Sequence, residues 1–405
     1  MEPSRNEILF EDITSINNIV ARNFNIQDTT SGTRTDKWLF RFRGVLRNEN
    51  SEQAYEEIAN LLTRFHLKPL FRVENGQQVI YLIEDLPAQA PANKKINIIL
   101  FIATLLSVWF TGGLLALESL DQGSTWDLIK AIFLDGWPFA VSLIAILGAH
   151  EMGHFFAGRY HKVNVTLPYF IPLPVISPFG TMGAFINMRG IPKNKKQLFD
   201  IGIAGPLSGL LIAIPVLFIG LSLSKVLPLP TVIGNGNAFQ MEGNSLLYLL
   251  MKYITFGKLL PQPVDFGNVS PFLYWLRYFF TGQPMPLGGL DVNLHPVAWA
   301  GWAGILVTSL NLIPIGQLDG GHILSTMVGK NSRKIFSFLL VLMVILGFAW
   351  NGWWLWAFLL FFLNKIPSQV ADEITPLDRK RKMLAAFMLI VFILVFIPVP
   401  LVILS

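Results

Sequence analysis

Two rhythms of apolar and polar residues run along the chain. Before about residue 94 they alternate over short stretches; after it, long apolar runs follow one another with short polar breaks. In the first part, Lys37 to Leu46 (KWLFRFRGVL) partly alternates and is rich in aromatic residues, which predicts a strand. Ser51 to Phe65 carries Ala54, Ile58, Leu61 and Leu62 near helical spacing, with Ser51 as the N-cap. Lys68 to Val73 and Gln78 to Ile83 read as two strands joined at Asn75-Gly76, a dipeptide that favours tight hairpin turns. Residues 1–93 are therefore expected to form a soluble α+β domain of β-α-β-β order, ending in a Pro/Ala linker at Pro87 to Asn93. It holds no His/Asp/Glu cluster and no Gly-rich phosphate loop, so a partner-binding or regulatory role is expected.

Residues 94–405 read as a membrane domain. A helix crossing a bilayer needs about 20 apolar residues. Ile96 to Leu117, Trp137 to Ala157, Phe199 to Leu223 and Pro296 to Ile315 qualify as four spans. Ile335 to Leu363 is read as two short helices turning near Asn351-Gly352, because that keeps both basic flanks on one side. Ala385 to Leu404 is the last, giving about seven spans. Pro168 to Ser177 is apolar but broken by proline, and Gly180 to Gly190 looks extended, which predicts a small β-hairpin or re-entrant element. The outer loop, 224–295, holds two apolar stretches, Leu246 to Leu260 and Pro271 to Thr281, that read as interfacial helices. The expected fold is an α-helical polytopic membrane protein with an N-terminal soluble α+β domain.

Composition supports this division. The 405 residues are 52% hydrophobic and only 14% charged, against roughly 25% charged in a soluble domain. The net charge of +5 sits in clusters beside the apolar runs, at Lys94-Lys95, Arg159 to Lys162, Lys193 to Lys196, Arg333-Lys334 and Arg379 to Lys382. That is positive-inside patterning; it places the N-terminus on the cytoplasmic side and leaves no case for nucleic acid. The absence of cysteine excludes disulfides and thiolate metal sites. Met1 to Asp12 has no apolar core and carries four acidic residues, so it is expected to be neither a secretory signal nor a transit peptide.

The candidate chemistry begins at His150-Glu151-Met152-Gly153-His154. Residues i and i+4 share a helix face, so both imidazoles can reach one zinc ion, and Glu151 beside them can take a proton from an activated water. Ionisable residues inside a span cost about 2.5–3.5 kcal/mol each when they face lipid, so these are expected to face inward and bind something. A catalytic zinc needs a third protein ligand. His66, His161 and His295 are badly placed for it. Asp319 and His322 remain, beside a break in the fourth span at Pro314 and Gly316.

With these residues the chain resembles the site-2 proteases, intramembrane metalloproteases that cut substrates within or near their membrane spans. Two distant motifs carry the resemblance: H-E-x-x-H at His150 to His154, and N-x-x-P-x-x-x-x-D-G at Asn311, Pro314, Asp319 and Gly320. It implies that Asp319 is the third zinc ligand and that Glu151 activates the water. It also implies that Asn311 helps hold the scissile carbonyl or the oxyanion. Gly205-Pro206-Leu207-Ser208-Gly209 resembles the family's small-residue segment, for which helix packing suffices. Gly180 to Asn187 could pair with an unwound substrate. The outer loop shows no PDZ-like strand pattern. The N-terminal domain together with GQLDGG is similar to the branch found in cyanobacteria and plastids.

The expected function is thus zinc-dependent endopeptidase action on transmembrane segments of membrane proteins, in regulated intramembrane proteolysis. The site is expected near the cytoplasmic face of a cell membrane, with the lipid bilayer and a membrane-protein substrate as partners. A metal-ion transporter would need charged residues along several spans, and few lie outside the two motifs. A catalytically inert scaffold would not need Glu151.

Overall fold

Asn75 and Gly76, with φ of 51° and 83°, close the predicted hairpin in the left-handed region that such a turn requires. The computed structural model describes residues 10–33, 35–85, 92–118, 124–230, 239–363 and 369–404. The chain divides into two compact units. The first holds 1–91, 189–198 and 369–379, and the second holds the remainder.

The first unit contains α1 (Phe10–Asn23), β1 (Phe24–Ser31), β2 (Phe40–Leu46), α2 (Ser51–Leu62), β3 (Leu67–Glu74) and β4 (Gln77–Glu84). The sheet order is β1-β2-β4-β3, antiparallel throughout. The sequence pattern missed α1 and β1. The N-cap also differs from the expected Ser51: Asn50 takes that place, its side chain accepting from the Gln53 amide. Ile16, Val20, Phe24, Phe42, Ile58, Phe71 and Ile80 build the core. Two segments from far along the chain complete the unit. Phe71 donates its amide to Ala371 and accepts one from Glu373, while Asp372 donates to Lys193. The β3 edge is thereby covered, as a sheet edge must be to avoid foreign pairing. Glu52 accepts from Lys196 at 2.6 Å and from Asn194 at 2.8 Å. Pro87 to Pro91 of the expected linker lie outside the described residues.

The second unit is mostly helical. It runs α3 (Lys94–Glu118), α4 (Thr125–Lys130), α5 (Trp137–Tyr160), the hairpin β5 (Tyr169–Pro172) and β6 (Thr181–Phe185), and α6 (Lys195–Leu223), whose first residues belong to the first unit. There follow β7 (Lys225–Pro228), β8 (Phe239–Glu242), α7 (Leu246–Phe256), α8 (Pro271–Thr281), β9 (Leu290–Asn293) and α9 (Pro296–Asn311). The chain continues through α10 (Asp319–Val328), α11 (Ser332–Leu346), α12 (Gly352–Leu363), α13 (Arg379–Val395) and β10 (Leu401–Leu404).

Among the described residues, three helical stretches are long and apolar enough to cross a membrane: Lys94–Leu117, Thr125–Tyr160 and Lys195–Leu223. Their outward faces are apolar, with Ile98, Ile99, Leu211 and Phe218 exposed. The 335–363 run is two helices, α11 and α12. The expected last span, Ala385 to Leu404, is helical only to Val395. Pro398 and Pro400 cannot continue a helix, and the end of the chain instead pairs with β8.

A polar stripe on α3 holds the hairpin. Asn97, Thr104, Ser107 and Thr111 are buried, and their spacing puts them on one helix face. Asn97 donates to the Leu167 and Pro168 carbonyls at 2.9 Å, and Ser107 donates to Gly180.

Between β7 and α9 lies a buried charged cluster. Tyr248 donates to Glu242 at 2.8 Å, and Lys252 Nζ lies 3.9 Å from Asp291 and 4.4 Å from the Tyr248 ring centroid. Asn244 donates to the Tyr278 hydroxyl. Burial pushes Glu242 up from 4.5 to about 7, with the Asp291 charge adding and Lys252 opposing. Burial raises Asp291 as well, and lowers Lys252. A carboxyl whose pKa is higher folded than unfolded favours its protonated form. Its contribution is full below about 4.5 and is lost as pH rises through about 7. Melting curves of the solubilised protein should therefore shift to lower temperature between about pH 5 and pH 7.5, and Glu242→Gln should flatten that slope. A slope that is the same in the variant would assign the effect elsewhere.

Candidate metal centre

The helix α5 presents His150 and His154 one turn apart, with Glu151 beside them; all three are buried. At the C-terminus of α9, Pro314 and the left-handed Gly316 (φ 59°) break the helix and turn the chain into α10. Asp319 is the first residue of α10, where the helix dipole favours a carboxylate. The break aims it at the histidines. Asp319 Oδ2 lies 3.2 Å from His150 Nε2, Asp319 Oδ1 lies 3.2 Å from His154 Nε2, and the two Nε2 atoms are 3.2 Å apart.

This donor set fits zinc. Ligands about 2.0–2.1 Å from a tetrahedral ion lie roughly 3.3 Å from one another, close to the separations found. The tautomer fits too. The Nδ1–H of His154 donates to the Ile201 carbonyl at 2.7 Å, which leaves the Nε2 lone pair facing the centre. Lone pairs on two imidazoles and a carboxylate converge without a cation only at a cost. The three residues His150, His154 and Asp319 are a metal-capable group among the described residues, and His322 is not in it.

The surroundings explain why the helices approach so closely. A Cβ at Gly205 would stand 2.0 Å from His154 Nε2, and one at Gly209 would stand 3.2 Å from His150 Nδ1. The small residues of α6 therefore make room for the imidazoles, a tighter demand than the helix packing expected from sequence. Gly153 on α5 lies against the Ala204 carbonyl, where a Cβ would be 2.5 Å away. The Ile186 amide, just past β6, donates to the Glu151 carboxylate. Asn311 Nδ2 stands 3.3 Å from His150 Nε2. Every residue expected at the site is thus in one place. His66 ends the 3-10 turn after α2, and His295 caps α9. His161 pairs with Asp200 at 2.9 Å. Sequence reasoning missed the Ile201 carbonyl and the Ile186 amide, because main-chain atoms leave no trace in residue identity.

The family model described as "Peptidase family M50" matches residues 138–349, which include both motifs and about half the chain. The chain belongs to peptidase family M50, the site-2 proteases. Relatives of this M50 chain are named as chloroplast proteins. "Probable zinc metalloprotease EGY1, chloroplastic" of Oryza sativa subsp. japonica is 30% identical over 268 residues, covering 65% of this chain and 40% of the relative. Its namesake in Arabidopsis thaliana is 28% identical over 266 residues, with 65% and 43% covered. "Probable zinc metalloprotease EGY2, chloroplastic" of Arabidopsis thaliana is 26% identical over 320 residues, with 73% and 50% covered. The M50 chain spans half or less of the length of these relatives. No solved structure matches it.

Proposed function

We propose that this protein is a zinc-dependent endopeptidase that hydrolyses peptide bonds within or near transmembrane segments of membrane proteins, in regulated intramembrane proteolysis. The observation that carries this reading is the convergence of His150, His154 and Asp319 beside a buried Glu151, on a helix long enough to cross a bilayer. Family membership and the relatives' printed names support it.

His150, His154 and Asp319 would hold the ion. A zinc ion there supplies Lewis acidity toward the scissile carbonyl and the attacking water. Glu151 takes the proton of that water and delivers it to the departing amine. Asn311, at the end of α9, donates its amide to the developing oxyanion, and such donors act where charge appears. A helical substrate must unwind to reach these groups. The hairpin offers a template for this, since among the described residues no strand other than β5 pairs with β6.

The basic clusters beside the apolar runs favour a cytoplasmic N-terminus and a metal centre near the cytoplasmic face of the membrane. The lipid bilayer and a membrane-protein substrate with a transmembrane segment are the partners that family membership supports.

Zinc content and cleavage of a model transmembrane substrate, measured together, test the proposal. Asp319→Ala should reduce bound zinc to background and abolish cleavage. Zinc retained at full occupancy would transfer the third ligand to His322.

A further inference from the structure

One ion-pair cluster outside the metal centre ties α6 to the end of α5 and to α13. Asp200, near the start of α6, accepts two hydrogen bonds from the Arg381 guanidinium of α13, Nε to Oδ1 at 2.7 Å and Nη2 to Oδ2 at 2.5 Å. Its Oδ2 also lies 2.9 Å from Nε2 of His161, the residue that ends α5. The next residue along α6 is Ile201, whose carbonyl holds His154. We propose that Asp200 is a positioning residue for the zinc ligand His154, acting through the Ile201 carbonyl and itself held by Arg381 and His161. The inference rests on the zinc reading above and deepens it.

Three features carry it. First, two side-chain hydrogen bonds join α5 and α6, His154 to Ile201 and His161 to Asp200. These are neighbours on α6 and two turns apart on α5, so together they set both the rotation and the register of one helix against the other. Second, α6 is weak at this point. Pro206 lies inside the helix, has no amide for the Gly202 carbonyl, and its ring crowds that carbonyl. The ladder bond to the Gly202 carbonyl, next to Ile201, is therefore missing, and an anchor at Asp200 would steady the turn that presents the Ile201 carbonyl. Third, the pairing is of the strong kind: a planar guanidinium meets both carboxylate oxygens, and all three side chains are more than two-thirds shielded from solvent. Lysine in place of Arg381 would supply the charge but not the fork.

An acceptor on the far nitrogen of a ligating imidazole fixes its tautomer and orientation, and losing such a partner typically weakens metal binding about 10- to 100-fold. Asp200 acts one step further out, so the lower end of that range, about tenfold, is expected for Asp200→Asn.

The experiment measures zinc affinity of the full chain in detergent, by competition with a chelator. It adds the visible spectrum of the cobalt-substituted protein and a melting curve. The variants are Asp200→Asn, Asp200→Glu, Arg381→Gln and Glu52→Gln, the last removing a comparable ion pair within the first unit. The expected result is an approximately tenfold weaker zinc affinity and a changed cobalt spectrum in Asp200→Asn and Arg381→Gln. Asp200→Glu should recover part of the affinity, and Glu52→Gln should match the original protein. Original affinity in Asp200→Asn overturns the proposal, as does an equal loss in Glu52→Gln. If Asp200→Asn does not fold, Arg381→Gln decides by the same criterion. The readout is metal affinity, so zinc binding without cleavage of any substrate would remove the protease reading alone. A chain that binds no zinc at all would overturn both.

Discussion

Glu151→Gln is expected to lower cleavage of a transmembrane substrate by about 10²–10⁴-fold, the usual span for loss of a general base, while zinc content stays unchanged. The substitution is nearly isosteric. The amide oxygen of glutamine can still accept from the Ile186 amide, so the side chain keeps its place. His150, His154 and Asp319 are untouched, so the metal-holding group stays intact. What disappears is the capacity to take a proton. The comparison must therefore be made on samples with equal metal content. An active Glu151→Gln enzyme would show that another group moves the proton.

Gly205→Ala should destroy the metal centre while the fold persists. The new methyl carbon would meet His154 Nε2, Cε1 and Cδ2 at 2.0, 2.4 and 2.5 Å. All three belong to one side chain, so the backbone need not move, but the ring must swing away. It then leaves both the Ile201 carbonyl and Asp319. Zinc affinity should fall by about 100-fold or more, beyond the effect of losing an outer hydrogen bond, and cleavage should fall with it. Stability should fall modestly: the gain of about 1 kcal/mol for alanine over glycine inside a helix is outweighed by crowding in a packed site, about 1–3 kcal/mol, and by the lost hydrogen bond to the Ile201 carbonyl. Gly209→Ala is the internal comparison. Its Cβ would stand 3.2 Å from His150 Nδ1, a crowding that a shift of a few tenths of an ångström relieves, so zinc binding should change only mildly. Equal behaviour of the two variants would refute this account of why α6 is built from small residues.

Much of this protein was legible one residue at a time. Asn75-Gly76 announced a hairpin because only certain residues adopt its backbone angles, and that hairpin exists. The break after Asn311 was readable in Pro314 and Gly316, and it is the break that carries Asp319. By contrast, α1 and β1 were overlooked. Their apolar positions, such as Ile16, Val20 and Phe24, are spaced among many polar ones and gain meaning only against α2 and the sheet. The end of α13 was misjudged because Leu401 to Leu404 is as apolar as a span; only its pairing with β8 distinguishes it.

His150, Glu151 and His154 were identifiable because two imidazoles that reach one metal ion must lie one helical turn apart, whereas Asn311 and Asp319 stood out through the resemblance of the second motif to a family. That spacing is local, so it is written in the sequence, as is the apolar length that makes three helices among the described residues long enough to cross a membrane. The tertiary structure alone decided what lies across from these residues. It brought Asp319 to 3.2 Å from both imidazoles and gave His154 a main-chain acceptor. It also joined Asp200, His161 and Arg381 from three helices, and closed the β3 edge with residues some 300 positions away. Such contacts join positions with no common period, through backbone groups that every residue shares, so only packing could create them.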